Sequence, residues 1–387
     1  MQMQSVARGW LIYDMTASAM ALAWVMLSFS LPTIFFSLVG GVMADRMDKK
    51  KVIIAAQLSN ALFTCVLAWE IYQGDVTFWH FILFGFINGS LLALSMPARA
   101  ALVPEVVGEH NLVNASALQS AMFNLSRVLG PAFAGLLIAG FAGENQASTT
   151  GVGLVFFILS AFYLVAAFAM FFLKLDFVPT AGEYRTPLAD IREGISYTLD
   201  DRIVFGLLIM SLIPFSFGFS ASFLLPAFNQ SILGGGPEDL GLLMSCMGGG
   251  ALAGSMTLAR AGDFRRKGEV MFKASYLWAF SIGLLAISQD FLTALVTCAI
   301  TGYFSAIFGS LNGSVLQLAV NAEIRGRVMS IYMMTFGLVP LGVMPVSIIA
   351  ENLGIDLSLI AAAVMLGLSM FLLSVLMPDL RKIDRGW

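Results

Sequence analysis

Apolar stretches long enough to cross a bilayer recur along this chain from end to end, separated by short turns that hold most of its charge. A helix rises 1.5 Å per residue, so about 20 residues cross the ~30 Å hydrocarbon core. Eleven such stretches can be placed, near residues 17–43, 51–73, 78–98, 112–141, 151–173, 203–231, 238–261, 269–288, 291–319, 326–350 and 354–377. None shows the period-two alternation of a membrane barrel strand. Lipid cannot satisfy backbone N–H and C=O groups, so the sequence predicts an all-α polytopic membrane protein. Composition agrees, with 58% hydrophobic and only 12% charged residues, against roughly 25% charged in soluble domains. The net charge of −3 leaves no basic excess of the kind nucleic-acid binding requires.

Two charged turns set the organisation. One, over residues 41–51, holds Asp45, Arg46, Asp48, Lys49, Lys50 and Lys51; the other, over 259–267, holds Arg260, Asp263, Arg265, Arg266 and Lys267. An offset of 218 carries Asp45 onto Asp263 and Lys49 onto Lys267, as expected of two related halves of six spans. Residues 1–13 are apolar but too short to span. The second half begins its first helix near Ile203, and subtracting 218 places the counterpart's start at position −15. The expectation is therefore an N-terminal six-helix bundle over 1–173 with an incomplete first helix, and twelve spans in the intact protein. A linker over 174–202 follows, with apolar residues at helical spacing in 187–199, then a C-terminal six-helix bundle over 203–387. The spacing predicts an amphipathic interfacial helix in that linker.

Lys and Arg gather in alternate turns: Arg46 with Lys49, Lys50 and Lys51; Arg99; Lys174, Arg185, Arg192 and Arg202; Arg260, Arg265, Arg266 and Lys267; Arg325 and Arg327; and Arg381, Lys382 and Arg385. The turns around Ser18, Asp75, Glu144, Glu238, Asp290 and Glu351 hold none. The positive-inside rule puts the first set in the cytoplasm, together with both termini of the intact protein.

No enzyme constellation is present. His80 and His110 are the two histidines, and neither lies near Cys or carboxylate at metal-ligand spacing. Cys65, Cys246 and Cys298 sit far apart inside apolar spans and read as buried thiols. The glycines at 248–250 and Gly254 form a small-residue helix face suited to packing, and there is no Walker-type loop. No cofactor, metal or catalytic residue is expected.

The spacing Gly41-x-x-x-Asp45-Arg46-x-x-Lys49-Lys50 resembles, position by position, the motif that major facilitator superfamily transporters carry between their second and third helices. Within that superfamily the chain is similar to the bacterial exporters grouped with the enterobactin exporter, or transmembrane secretion effectors. The likeness is carried by residues 1–13, Pro97-Ala98-Arg99 through Pro104-Glu105, Asn124-Leu125-Ser126-Arg127 with Gly130-Pro131, and Arg325-Gly326-Arg327 through Ser330. The resemblance implies a multi-pass monomer of the bacterial inner membrane. It also implies alternating access, export of a hydrophobic or amphipathic small molecule, and protons as the coupling ion. Uptake on the same fold, or a transport-inactive membrane partner or sensor, are the alternatives. It further implies a gating latch built from Gly41, Asp45, Arg46, Lys49 and Lys50, with Asp263, Arg325 and Arg327 as counterparts. Gly41 is expected where helices approach, and Asp45 against the positive end of the helix starting near Gly326. For Lys49, Lys50 and Lys51 topology alone explains the charge.

Other residues are candidates for the cavity or for coupling. Arg127 lies near mid-span, where an arginine costs at least ~2.5–3.5 kcal/mol unless it faces protein or water. Gly130-Pro131 follow it and partly match the fifth-helix motif of antiporters, with a single Gly135 where that motif has a pair. Arg8 is the second arginine at depth; Asp14 and Glu70, near span ends, are the acids closest to the apolar spans. Asn124 shares the Arg127 span. Asn88-Gly89-Ser90 and Asn312-Gly313-Ser314 echo one another in the fourth span of each half. Phe215, Phe219 and Phe223 recur every fourth position between Pro214 and Pro226, which can bend or break a helix, and could form an aromatic cavity wall.

Overall fold

The computed structural model describes residues 1–141, 149–173, 187–262, 264–321 and 324–384. Those residues form fifteen α-helices and no strand. They are α1 (Gln2–Thr16), α2 (Ala19–Arg46), α3 (Lys49–Gln73), α4 (Phe78–Val107), α5 (Leu112–Phe141), α6 (Thr149–Phe171), α7 (Pro187–Asp200) and α8 (Arg202–Phe217). The rest are α9 (Ser220–Ser231), α10 (Pro237–Ala261), α11 (Lys267–Ala286), α12 (Phe291–Ala319), α13 (Arg325–Gly337), α14 (Pro340–Leu353) and α15 (Ile355–Leu376). Ten segments among the described residues are long and apolar enough to span a membrane. The eleventh expected span is present as α11, whose first two turns hold Lys267, Glu269 and Lys273, and it is not among the ten.

Local chemistry explains the helix ends. Asp48 accepts from the backbone N–H of Lys50 and Lys51 at the start of α3, and Asp201 from Ile203 and Val204 at the start of α8. Gly74 closes α3 in the left-handed conformation, at φ 82°. Two expected spans are broken. The first divides into α8 and α9 just after Pro214, where a side chain at Gly218 would strike the Trp278 ring. The second divides into α13 and α14 immediately before Pro340, which has no N–H to continue the ladder. In α4 the helix runs nine residues beyond the expected span end at Ala98, so Arg99 lies inside a helix and not in a turn.

The chain forms two compact units: Met1–Ala17 with Trp24–Pro187, and Ser18–Ala23 with Leu188–Trp387. In unit 1, α2 and α4 meet on glycine. A Cβ at Gly89 would collide with the Phe29 carbonyl, one at Gly40 with the Ala93 carbonyl, and one at Gly85 with Ser28. Unit 2 repeats the arrangement with α10 and α12, where Gly250, Gly254 and Gly302 lie against the carbonyls of Ala299, Tyr303 and Met247. Between lipid-embedded helices there is no hydrophobic drive to associate, so such close backbone approach supplies the packing energy. Cys298 is buried, Cys246 half-buried and Cys65 exposed on α3, so the expectation of three buried thiols holds for Cys298 alone.

Gly250→Ala should therefore push α10 from α12 and destabilise unit 2 by ~1–3 kcal/mol, the range of overpacking. At neighbouring Gly249 a Cβ meets nothing within 4 Å, and Gly249→Ala is expected to be nearly neutral. Thermal unfolding of the two variants in detergent checks both.

Candidate functional site

The charged turn of unit 1 is built by Asp48, whose capping of α3 turns the three lysines onto the first helical turn. Lys49 pairs with Glu105 on α4. Lys50 donates to the carbonyls of Phe171 (3.1 Å) and Leu173 (2.6 Å), the negative end of α6. Lys51 remains exposed, 3.7 Å from Asp48. Two of these cations thus tie α3 to α4 and α6, which is more than topology required of them. Arg46 is exposed at the end of α2. The close approach expected at Gly41 belongs instead to Gly40, since a Cβ on Gly41 meets nothing within 4 Å. The Asp45 side chain and the whole of Asp263 lie outside the described residues.

In unit 2, Arg325 and Arg327 open α13. Arg325 donates to the Val320 carbonyl at 3.3 Å, at the end of α12. Arg327 pairs with Glu193 at 2.6 Å, and Glu193 belongs to the linker helix α7. Gly194 beside it packs on the same spot, with Ile331 and Arg327 3.1 and 3.2 Å from where its Cβ would stand. The absence of a side chain lets α7 lie close on α13, and the ion pair fixes its register.

The candidates at membrane depth divide sharply. Arg8 on α1 and Arg127 on α5 are half-buried, and neither has an ion-pair or hydrogen-bond partner among the described residues. Just beyond Arg127, α5 crosses α1: the Cβ position of Gly130 is 2.9 Å from Gln2 and 3.4 Å from the Met3 backbone nitrogen. Pro131 is buried, and α5 continues through it to Phe141. Asn124 donates back to the Ser120 carbonyl at 3.0 Å within its own helix. Asp14 is exposed near the end of α1.

The two asparagine echoes are packing residues in their own units. Buried Asn88 donates to Asn60 on α3 at 2.8 Å, with the Tyr163 hydroxyl of α6 within hydrogen-bonding reach. Buried Asn312 donates to Ser211 on α8 at 2.5 Å. Phe215 is buried against Phe219 (ring centroids 5.4 Å apart) and Tyr332 (6.2 Å), and half-buried Phe219 meets Trp278 (5.7 Å). Phe215 therefore belongs to an aromatic cluster joining α8, α11 and α13, while Phe223 stands half-buried on α9, beyond the break. Sequence reasoning missed Glu105 and Glu193 as partners. Each lies far along the chain from its cation, and no local spacing announces the pairing.

An all-helical chain of many spans, in two units each held by glycine crossings, has the architecture of a polytopic membrane transporter. Solved structures place it in the major facilitator superfamily fold. It is similar to a nucleoside transporter over 97% of this chain and 96% of that one, with TM-score 0.72 at 15% identity. It is also similar to a D-xylose-proton symporter over 99% and 97%, with TM-score 0.67 at 14% identity. The profile of the transmembrane secretion effector family matches residues 1–385, and the chain belongs to that family of bacterial multi-pass membrane transporters, which are not enzymes. Among curated relatives, the staphyloferrin A transporter of Staphylococcus aureus is 26% identical over 90% of this chain and 86% of its own. Macrolide efflux protein A of Streptococcus pyogenes is 23% identical over 96% and 90%. The enterobactin exporter of Shigella boydii is 25% identical over 75% and 67%.

An ion pair as exposed as Arg327–Glu193 is worth up to ~1 kcal/mol. Glu193→Gln should consequently raise amide exchange in α7 by up to about fivefold and leave α10 and α12 unchanged. Hydrogen–deuterium exchange of this variant beside the unsubstituted protein measures it.

Proposed function

We propose that this transporter exports amphipathic small molecules across the bacterial inner membrane by alternating access, driven by protons moving inward. The reading rests above all on α5. Arg127 stands at mid-span with no protein partner among the described residues, and Gly130-Pro131 follow where α1 crosses. An arginine in that position must face protein or water, and one without a protein partner is open to water or a polar ligand. With Arg8 it suits a substrate that joins an apolar body to an acceptor-rich or anionic group. Relatives named for macrolide efflux and enterobactin export support the outward direction.

In this reading Asp45 and Arg46, with Asp263, Arg325 and Arg327 as their counterparts, form the latch that closes the cytoplasmic face. The Lys49–Glu105 pair and the Lys50 contacts keep the first of these turns in register. The lysine-bearing turns and the C-terminus are cytoplasmic by the positive-inside rule. No acid lies at mid-depth in the complete spans, so Asp14 and Glu70 are the groups proposed to take the coupling proton. The protein works as a monomer.

Everted vesicles carrying the protein should accumulate a labelled macrolide or siderophore when a proton gradient is imposed. Arg127→Ala or Asp45→Asn should each lower the initial rate at least roughly tenfold, the loss expected when a substrate-binding or gating contact is removed. Unchanged transport in both variants would refute the site assignment. Accumulation confined to right-side-out vesicles would establish uptake instead.

A further inference from the structure

A cavity of about 300 Å³ opens in unit 1 where α3, α4 and α6 meet. Its walls are aliphatic, with Ile53, Leu102, Val103 and Met170 among them, and its only polar lining residues are Gln57 and Arg99. Both carry a buried atom that lacks a partner: the Arg99 Nε donor and the Gln57 Oε1 acceptor. Native structures rarely leave two such groups unsatisfied in one place, and the usual reason is a ligand or water that belongs there. None of the ion pairs among the described residues includes Arg99. Of the cations at the start of α3, Lys49 is engaged with Glu105 and Lys50 with the end of α6, and Lys51 is exposed beside Asp48.

Position along α4 narrows the ligand. Arg99 follows Phe78, the first residue of α4, by 21 residues, or about 32 Å of helical rise, close to the hydrocarbon thickness. Trp79, 72% exposed at the far end, suits the opposite interface. Arg99 therefore stands at the depth of lipid phosphates, on the side that carries Lys49. The lip of the groove is formed by exposed Val106 and half-buried Val103 and Met170. A free water-soluble anion would gain nothing from such walls.

We propose that this groove is a binding site for an anionic phospholipid of the surrounding bilayer. The phosphodiester lies on the Arg99 guanidinium, a headgroup hydroxyl donates to the Gln57 amide oxygen, and the first carbons of one acyl chain run along Leu102 and Met170. The volume holds that part of the lipid while the remainder stays in the bilayer. The site faces lipid from one unit alone and does not depend on the direction of transport.

Native mass spectrometry of the full chain, exchanged into an equal mixture of phosphatidylglycerol and phosphatidylcholine, tests this. One phosphatidylglycerol should be retained with a roughly fivefold preference, the factor expected for one basic residue at an anionic interface. Arg99→Gln should bring the two lipids to parity, and Arg99→Lys should keep most of the preference. Ala166→Phe, which fills the groove and leaves Arg99 in place, should abolish retention, and it decides the matter if Arg99→Gln does not fold. Millimolar inorganic phosphate should displace nothing. Equal retention of both lipids by the wild type, or a preference that survives Ala166→Phe, would overturn the proposal. Displacement by phosphate would mark an ion site instead.

Discussion

A bilayer offers no water to an unpaired peptide group, so each spanning segment must close its hydrogen bonds internally, as a helix does. Helices so formed have no hydrophobic reason to leave lipid for one another, and this protein answers with backbone contact. In unit 1, Gly40, Gly85 and Gly89 bring α2 and α4 together; in unit 2, Gly250, Gly254 and Gly302 do the same for α10 and α12. The broken spans depend on this frame. An interruption after Pro214 or before Pro340 frees backbone groups that only neighbouring helices can shelter; Gly218 in the first break lies against Trp278, and Gly342 just beyond the second lies against Ser216.

Charge is sorted within the same frame. Cations at helix ends have local work: Lys49 with Glu105, Lys50 with the last carbonyls of α6, and Arg327 with Glu193 of the linker helix. Those pairs are partly exposed, and each contributes little to stability. Their value is positional, because they fix α3 against α4 and α6, and α7 against α13. Arg8 and Arg127 differ in kind. Without a partner among the described residues, they are the charges a membrane tolerates for a functional reason. On the export reading proposed above, that reason is contact with what is carried.

Much of this could be read from residue order. Span length and the switch to helical spacing in 187–199 located the membrane helices and α7 (Pro187–Asp200) because both depend on local periodicity. The turn at 41–51 was recognisable because each position has its own chemistry. What escaped notice depends on contacts distant in sequence. Glu105 is 56 residues from Lys49, and a carboxylate at that distance carries no mark of its partner. Gly41 looked like the contact glycine because the motif names it, whereas the crossing of α2 and α4 falls one residue earlier, at Gly40. Arg99 read as a turn residue because it is a cation that closes the apolar stretch 78–98, but α4 runs on past Pro97 and through Pro104. Asn88 and Asn312 looked like cavity residues, yet each is buried in a hydrogen bond inside its own unit.

Export as proposed requires that outward movement of substrate be coupled to inward movement of protons. Proteoliposomes loaded with a pH-sensitive dye, given substrate on one side and no initial proton gradient, measure it directly. Substrate moving down its gradient should drive protons the opposite way, at a fixed ratio, and Arg127→Ala should reduce both fluxes together. Substrate flux with no pH change, or protons travelling in the same direction as the substrate, would contradict it.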